Sequence, residues 1–214
     1  MKVVGIMPIK LNNERCPGKN TRLLGKKPLL QYELDSLIKT GLCDSINVYC
    51  SNDAIIPFLP QGVNFIKRSV ELDSSTSNFT QIFDSFKLSV NADIYVYVHA
   101  TAPFITVDTM TQCIEAVKST KYDSAFCAIK LQDYLWCKGE PLNFDASNLP
   151  RTQDLQPIYQ ETSGIYVFTK EVYDRYHRRI GKKPFIKEVS FKEAVDIDNP
   201  EDFDLAEALV DVEL

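Results

Sequence analysis

The amino-acid sequence predicts an α/β protein built in three layers, with helices on both faces of a mostly parallel sheet. Short apolar runs alternate with segments of helical periodicity, and the connections between them are short. The chain has 214 residues, of which 44% are hydrophobic, and this content is enough for one sizeable core. We therefore expect a single domain over residues 1–214.

The elements of the first half alternate regularly. Val3 to Ile9 is an apolar run that ends in turn residues, as expected of a buried parallel strand. A helix is predicted from Pro28, a favourable first helical residue, until Gly41 ends it. The next predicted elements are a strand over 45–50, a strand over 64–67, a helix over 79–91, a strand over 94–98, a helix over 107–120 and a strand over 124–129. Ligands of such sheets bind beyond the carboxyl ends of the strands.

The alternation breaks between Leu131 and Pro157, where proline, glycine and asparagine are frequent. This stretch is either a long excursion or a segment that contacts a partner. Beyond it we predict a strand over 164–169, a helix over 170–178 and a strand over 185–189. Asn199 as a cap and Pro200 as the first residue predict a last helix, which extends to about Val212.

Composition excludes several classes of protein. The net charge of −5 argues against a general nucleic-acid binder, which would show a basic excess. The N-terminal apolar run is too short for a secretory signal, and no stretch is long enough to span a membrane, so we expect a soluble cytoplasmic protein. The six cysteines lack C-x-x-C spacing and mostly lie in apolar runs, which favours buried thiols over disulfides or zinc. Cys16 is the exception, because it lies in a polar loop.

That polar loop follows the first predicted strand and contains Lys10, Arg15 and Lys19. Cations and backbone donors between a strand and a helix are suited to holding phosphate oxygens. Neither G-x-x-x-x-G-K-[ST] nor G-x-G-x-x-G is present. An arbitrary basic loop would more often be solvated surface, but its position at the end of the first strand favours an anion site.

A pair of acidic residues lies near the other end of the chain. Asp196 and Asp198 in VDIDNPEDF are one residue apart, and in an extended chain this spacing places both carboxylates on one face. Two such carboxylates repel each other unless a cation lies between them. A hard divalent ion such as Mg²⁺, shared with substrate phosphates, would suit the pair. The alternative is that both are simply polar residues before a helix.

Several motifs together resemble the cytidylyltransferases that activate acidic sugars, namely the 3-deoxy-manno-octulosonate and acylneuraminate enzymes. The motifs, in chain order, are K-x-x-x-x-R-x-P-G-K at Lys10 to Lys19, GKKPLLQYELDSL, VYCSND, HATAPFIT, PRTQDLQP, SGIYVF and VDIDNPEDFDLAE. They cover nearly the whole chain. The resemblance implies a Rossmann-like nucleotidyltransferase fold, CTP as substrate, Mg²⁺ as cofactor and release of pyrophosphate. It also implies a homodimer that uses the excursion at about 131–157.

The resemblance implies a role for each matching residue on the nucleotide side. Lys10, Arg15 and Lys19 would hold the triphosphate and, with Asp198, form the catalytic set, while Asp196 and Asp198 would bind the metal. Lys10 stands where the family usually has Arg. The other implied nucleotide contacts are Asn12, Asn20, Arg68, Ser75 and Ser77, and Ser51 and Asp53 match the family's S-T-D.

On the acceptor side the resemblance implies His99, Thr101, Arg151 and Gln153. Arg151 matches the family's P-R-x-Q, where the Arg is placed to meet the carboxylate of the sugar in a bidentate contact. His99 stands where the family usually has Gln, and QETSG replaces its R-x-N-G. The aromatic residues of the excursion are either a sugar platform or packing residues of a dimer contact, and we favour packing. These residues are Tyr134, Trp136 and Phe144.

The activity expected from these motifs is Mg²⁺-dependent transfer of CMP from CTP to the hydroxyl of an acidic sugar, either sialic-acid-like or 3-deoxy-octulosonate-like. Three alternatives remain. The acceptor could be a non-sugar compound such as a phosphonate. DID could be the metal-binding D-x-D of a glycosyltransferase, although this leaves the loop at Lys10 to Lys19 without a role. The protein could also bind the nucleotide without turnover.

Overall fold

The computed structural model describes residues 1–211 and contains eleven strands and five helices in that range. In chain order they are β1 (Val3–Ile9), β2 (Leu23–Leu24), β3 (Lys27–Pro28), α1 (Leu29–Thr40), β4 (Ser45–Cys50), β5 (Val63–Lys67), α2 (Phe79–Ser89), β6 (Ile94–Val98), α3 (Val107–Lys118), β7 (Ser124–Leu131), β8 (Trp136–Cys137), β9 (Glu140–Pro141), β10 (Ile158–Thr169), α4 (Lys170–Tyr176), β11 (Pro184–Glu188) and α5 (Pro200–Asp211). Short 3-10 helices cover Asp53–Phe58, Val70–Asp73 and Thr152–Asp154.

Seven of the strands form one sheet in the order β11-β7-β10-β6-β1-β4-β5. Six of them are parallel, and β10 runs antiparallel between β7 and β6. The predicted mostly parallel α/β sheet is therefore confirmed. Because β6, β1, β4 and β5 are adjacent and parallel, their carboxyl ends meet at one edge of the sheet.

Strand periodicity sorts the apolar residues between the two faces of this sheet. On β6, Val96 faces a cluster that includes residues of α1 and α3, whereas Tyr95 and Tyr97 face residues of α2 and α4. The second cluster is rich in aromatic pairs, such as Phe83 and Tyr173 with ring centroids 4.4 Å apart. The helices thus cover both faces, as the three-layer prediction required.

A smaller third cluster attaches α5 to the N-terminal loop. Ile197 and Phe203 pack with Leu24, Leu29 and Cys16, all of them buried. Cys16, which was set apart from the other cysteines because it lies in a polar loop, is buried, because its thiol fills this apolar contact. The end predicted for the last helix, Val212, lies outside the described residues.

Some boundaries differ from the predicted ones. Pro28 ends β3 and precedes α1 rather than opening it, and the third predicted helix ends at Lys118. The strand predicted from Gly164 begins earlier, at Ile158, directly after the irregular stretch that ends at Pro157. The first half of β10 contains polar residues and is held as a strand by backbone pairing with β7. Because this pairing involves a distant strand, the periodicity of the sequence does not reveal it. Among residues 1–211, no helix is both long and apolar enough to cross a membrane.

Candidate active site

A cavity of about 430 Å³ lies at the edge where the parallel strands end. It brings together predicted site residues from distant parts of the sequence. They come from the loop after β1, the segment before α2, the end of β6 and the segment before α5. These lining residues are Lys10, Arg15, Lys19, Asn20, Ser75, His99, Thr101 and Asp198.

The two cations of the loop converge on Asp198. Its Oδ1 lies 2.9 Å from Nη2 of Arg15 and 3.2 Å from Nζ of Lys19. The Lys19 side chain is only 8% exposed and also donates to the carbonyl oxygen of Ile197 at 2.5 Å, whereas that of Arg15 is 63% exposed. Lys19 is therefore a buried charge in the wall of the cavity, whereas the charge of Arg15 is largely exposed to solvent.

Turn chemistry gives the loop its shape. Gly18 has a φ of 70°, a left-handed conformation that glycine adopts without a steric penalty. The buried Asn20 donates from Nδ2 to the carbonyl oxygen of Lys10 at 2.9 Å and to Oδ1 of Asn13 at 3.3 Å. Asn20 thus closes the loop on itself while lining the cavity.

The segment that contains Asp196 and Asp198 is held in place by the residue between them, Ile197. Ile197 is fully buried and donates its backbone N–H to the carbonyl oxygen of Thr101 at 2.8 Å. Asp202 accepts from the backbone N–H groups of Asp198 at 3.0 Å and Asn199 at 2.8 Å. These bonds lower the pKa of Asp202, since they stabilise its ionised form. The start of α5 therefore fixes the backbone beneath Asp198.

The donor set fits a divalent cation shared with a ligand. Oδ1 of Asp196 is buried and has no hydrogen-bond partner among residues 1–211. No cluster of three or more His, Cys, Asp or Glu residues suited to a metal occurs in the same range. Mg²⁺ commonly binds through one or two carboxylates plus substrate phosphates, so Asp196 and Asp198 match that mode.

Arg68 is not in the cavity lining. It is buried, and its Nη2 and Nε donate to Oδ1 of Asp73 at 2.7 and 3.2 Å. Oδ2 of Asp73 accepts from the Ser51 hydroxyl at 2.5 Å, and the Asp73 carbonyl oxygen accepts from Lys10 at 3.4 Å. Asp73, which was not predicted as a site residue from the sequence, therefore links the ends of β4 and β5 to the loop after β1. The sequence feature that could have indicated Asp73 is its position between two predicted site residues, Arg68 and Ser75.

The remaining residues predicted for the nucleotide side lie beside the main cavity. Asn12, Ser51 and Asp53 line an adjacent cavity of about 370 Å³. Asp53 also pairs with Lys67 at 2.8 Å. Ser77 donates from its hydroxyl to the backbone oxygen of Glu71 at 3.4 Å, which makes it part of the loop before α2.

His99 follows β6 and forms part of the cavity wall. Its ring centroid lies 5.2 Å from that of Tyr97 and 6.0 Å from that of Tyr166. Burial, helped by the positive charge of Arg179, lowers the pKa of His99 to about 3. The imidazole is therefore neutral at physiological pH.

Arg151 and Gln153 are not brought to the cavity in this chain. Arg151 donates from Nε and Nη2 to Asp154 at 2.7 and 3.1 Å, and its side chain is 72% exposed. The backbone oxygen of Gln153 accepts from Gln132 at 3.0 Å.

The three aromatic residues of the excursion pack against one another. The ring centroid of Phe144 lies 4.9 Å from that of Tyr134 and 5.5 Å from that of Trp136. The preference for packing in a dimer contact over a sugar platform stays a prediction.

Comparisons with known proteins agree with this geometry. A family model described as cytidylyltransferase matches residues 4–213. The chain is 27% identical over 229 residues to the CMP-N,N'-diacetyllegionaminic acid synthase of Legionella pneumophila, and the match covers 99% of this chain and 97% of that protein. It is 26% identical over 204 residues to the N-acylneuraminate cytidylyltransferase A of Danio rerio, and the match covers 91% of this chain and 47% of that longer protein.

Solved structures support the fold. A CMP:2-keto-3-deoxy-manno-octonic acid synthetase complexed with CTP superposes with a TM-score of 0.75 at 16% identity, over 100% of both chains. A 4-diphosphocytidyl-2C-methyl-D-erythritol synthase from Anaerococcus prevotii gives 0.67 at 12% identity, over 98% of both chains. The predicted Rossmann-like nucleotidyltransferase fold is thereby confirmed. With the family model spanning nearly all of its length, the chain belongs to the cytidylyltransferase family, whose members are nucleotidyltransferases that use CTP.

Proposed function

We propose that the protein transfers CMP from CTP to the hydroxyl of an acidic sugar, with release of pyrophosphate. The observation that carries this proposal is the convergence of Arg15 and Lys19 on Asp198 in one cavity whose wall includes His99. The names of the relatives support the class of acceptor, because they are synthases of CMP-linked acid sugars. Since its substrate is CTP, we place the activity in the cytoplasm.

The loop cations act on the triphosphate. Lys19, held against the carbonyl oxygen of Ile197, presents a buried positive charge, and the more exposed Arg15 adds a second charge beside Asp198. Both charges stabilise the pyrophosphate as negative charge builds on it. Because Asp198 already draws the two cations together, their positions are set before the substrate binds.

Asp196 and Asp198 would hold Mg²⁺ through their carboxylate oxygens. When bound, the cation supplies Lewis-acid charge at the phosphates and favours ionisation of a nearby hydroxyl. His99 is a poor candidate for the general base, because a group with a pKa of about 3 binds a proton weakly at neutral pH. We assign His99 instead a positioning contact with the acceptor, together with Thr101.

The test is pyrophosphate release from CTP and Mg²⁺, screened over keto-deoxy acid sugars and simple phosphonates, with a reaction lacking acceptor as the control. We expect release with at least one acid sugar and a CMP-sugar as the product. Turnover with phosphonates alone would assign a non-sugar acceptor. CTP binding by calorimetry without pyrophosphate from any acceptor would indicate a nucleotide-binding protein, and transfer from a nucleotide-sugar without CTP consumption would indicate a glycosyltransferase.

A further inference from the structure

We propose that Glu193 is a positioning residue for the metal site, because it ties the segment that carries Asp196 and Asp198 to the start of α3. The inference rests on the proposed function, in which these two aspartates would hold Mg²⁺. Glu193 lies in the connection between β11 and α5, three residues before Asp196. It is not in the lining of the active-site cavity, so its effect on the site is indirect.

The Glu193 carboxylate bridges two parts of the chain. Oε1 accepts from the hydroxyl of Thr109 at 2.6 Å, and from the hydroxyl and the backbone N–H of Thr106 at 3.1 and 3.4 Å. Oε2 accepts from the backbone N–H and the hydroxyl of Ser190, both at 3.3 Å. One oxygen therefore binds the first turn of α3, and the other binds the chain just after β11.

This bridge carries a negative charge. Partial burial acts to raise the pKa of Glu193, but hydrogen bonds from Thr109, Ser190 and Thr106 outweigh it and lower the pKa below its ordinary value. The carboxylate is therefore ionised at neutral pH, and the N-terminus of α3 stabilises the charge. Hydrogen bonds to an ionised acceptor are stronger than those between neutral groups, so the bridge holds the two segments firmly.

Asp196 lies between two ties to the same connection, the one that joins β6 to α3. The first tie is Glu193, and the second is the backbone N–H of Ile197, which donates to the carbonyl oxygen of Thr101 at 2.8 Å. Oδ1 of Asp196 is buried and has no hydrogen-bond partner among residues 1–211, so the backbone on either side sets its position. Without Glu193, Asp196 would be held from one side only.

The cations of the nucleotide side do not depend on this bridge. Arg15 and Lys19 belong to the loop after β1 and contact Asp198, whose backbone is held separately by Asp202. Outer-shell residues that orient metal ligands affect the affinity for the metal. Loss of Glu193 should therefore weaken the part of CTP binding that depends on Mg²⁺ and spare the part that does not.

The experiment compares Glu193→Gln with Asp123→Asn in the full chain. Asp123 is a matched control, because its carboxylate accepts from the backbone N–H groups of Lys182 and Lys183 at 2.8 and 3.0 Å and from the Ser124 hydroxyl at 2.8 Å. It precedes β7 and so lies at the opposite edge of the sheet. The Kd for CTP is measured by calorimetry in excess Mg²⁺ and in EDTA, and thermal unfolding is recorded for each variant.

We expect Mg²⁺ to tighten CTP binding by the unsubstituted protein, and we expect E193Q to reduce this gain by about tenfold, the lower end of the usual outer-shell effect. The Kd of E193Q in EDTA should stay close to that of the unsubstituted protein. D123N should keep the whole gain even where it lowers the unfolding temperature as much. If E193Q does not fold, Thr109→Val replaces it, since valine keeps the shape of the side chain but not the hydrogen bond to Glu193. A reduced gain in T109V would then support the proposal.

Several results would overturn the inference. They are an unchanged gain in E193Q, or in T109V where that variant is used, an equal weakening of CTP binding in EDTA, the same loss of gain in D123N, and a CTP affinity of the unsubstituted protein that does not respond to Mg²⁺. These measurements use no acceptor, so they leave CMP transfer to the pyrophosphate assay. Absence of pyrophosphate release with every acid sugar would overturn the proposed function while the role of Glu193 at the metal site stands.

Discussion

Asp198 is the residue on which the charge balance of the site depends, since it contacts both loop cations and belongs to the proposed metal pair. We predict that Asp198→Asn nearly abolishes turnover, because the amide keeps the shape of the side chain but not its charge. The fold should survive, since the side chain is partly exposed and lies outside the apolar clusters. Pyrophosphate release and thermal unfolding check both statements, with Asp204→Asn on the exposed side of α5 as the control.

A nearly normal rate for D198N at saturating Mg²⁺, or a large loss of thermal stability, would contradict the assignment of Asp198 to the metal site. The Asp204 variant should match the unsubstituted protein in both measurements.

Arg15 provides the test of the nucleotide side. Arg15→Ala removes charge-assisted contacts to phosphate, each worth roughly 1.5 to 3 kcal/mol, so the Kd for CTP should rise by about ten- to a hundredfold. Calorimetry measures this effect, and Lys26→Ala, which removes an exposed cation outside the cavity lining, is the control. A variant that changes only the KM of the acceptor would show that the loop has been misassigned.

At the scale of elements, α1 contains an acidic residue that weakens the fold. Glu33 is fully buried, and neither carboxylate oxygen has a hydrogen-bond partner among residues 1–211. Burial raises the pKa of Glu33 well above its ordinary value of 4.5. Because the folded state holds the proton more tightly than the unfolded one, the residue costs stability as the pH rises above 4.5.

We therefore predict that Glu33→Met increases the free energy of unfolding at neutral pH, by about 1–3 kcal/mol, the usual cost of a buried unsatisfied polar group. The gain should shrink as the pH falls toward 4.5, where the unfolded chain also holds the proton. Urea unfolding at the two pH values measures it, with Glu115→Met on the exposed side of α3 as the control. A loss of stability in E33M at neutral pH would contradict the prediction.

The strand β10 was predicted from the sequence only over its second half. Gly164 to Thr169 is apolar and was predicted, but the strand begins at Ile158 and its register against β7 shifts between Glu161 and Tyr166. A Cβ on Gly164 would lie 2.5 Å from Cδ1 of Ile105. Glycine is therefore required at this position, because the loop before α3 lies close against the strand. Bulges and close approaches are set by neighbouring strands and loops, which local periodicity does not report.

At the scale of the whole molecule, the excursion presents apolar side chains to solvent. Trp136, Leu142 and Leu149 are all exposed, and we propose that they form the contact of a homodimer. Trp136→Glu together with Leu142→Glu should convert the dimer to a monomer in sedimentation experiments while CTP affinity is retained. Phe191→Glu, which alters an exposed aromatic residue after β11, should leave the dimer intact. A monomeric unsubstituted protein would contradict the proposal.

The sequence by itself determined the layers, most of the longer elements and the family, because apolar periodicity and ordered motifs are local properties of the chain. It also predicted Lys10, Arg15, Lys19 and Asp198 as site residues, and these line one cavity, whereas the predicted Asp196 is not in that lining. The reason is that the carboxyl ends of parallel strands meet at one edge. Only the tertiary structure decided what surrounds His99. The reversed β10 brings Tyr166 beside His99, and the end of α4 places Arg179 over that ring. These contacts join residues from three separate elements, and their distances depend on strand order and on side-chain packing, which no motif in the sequence encodes.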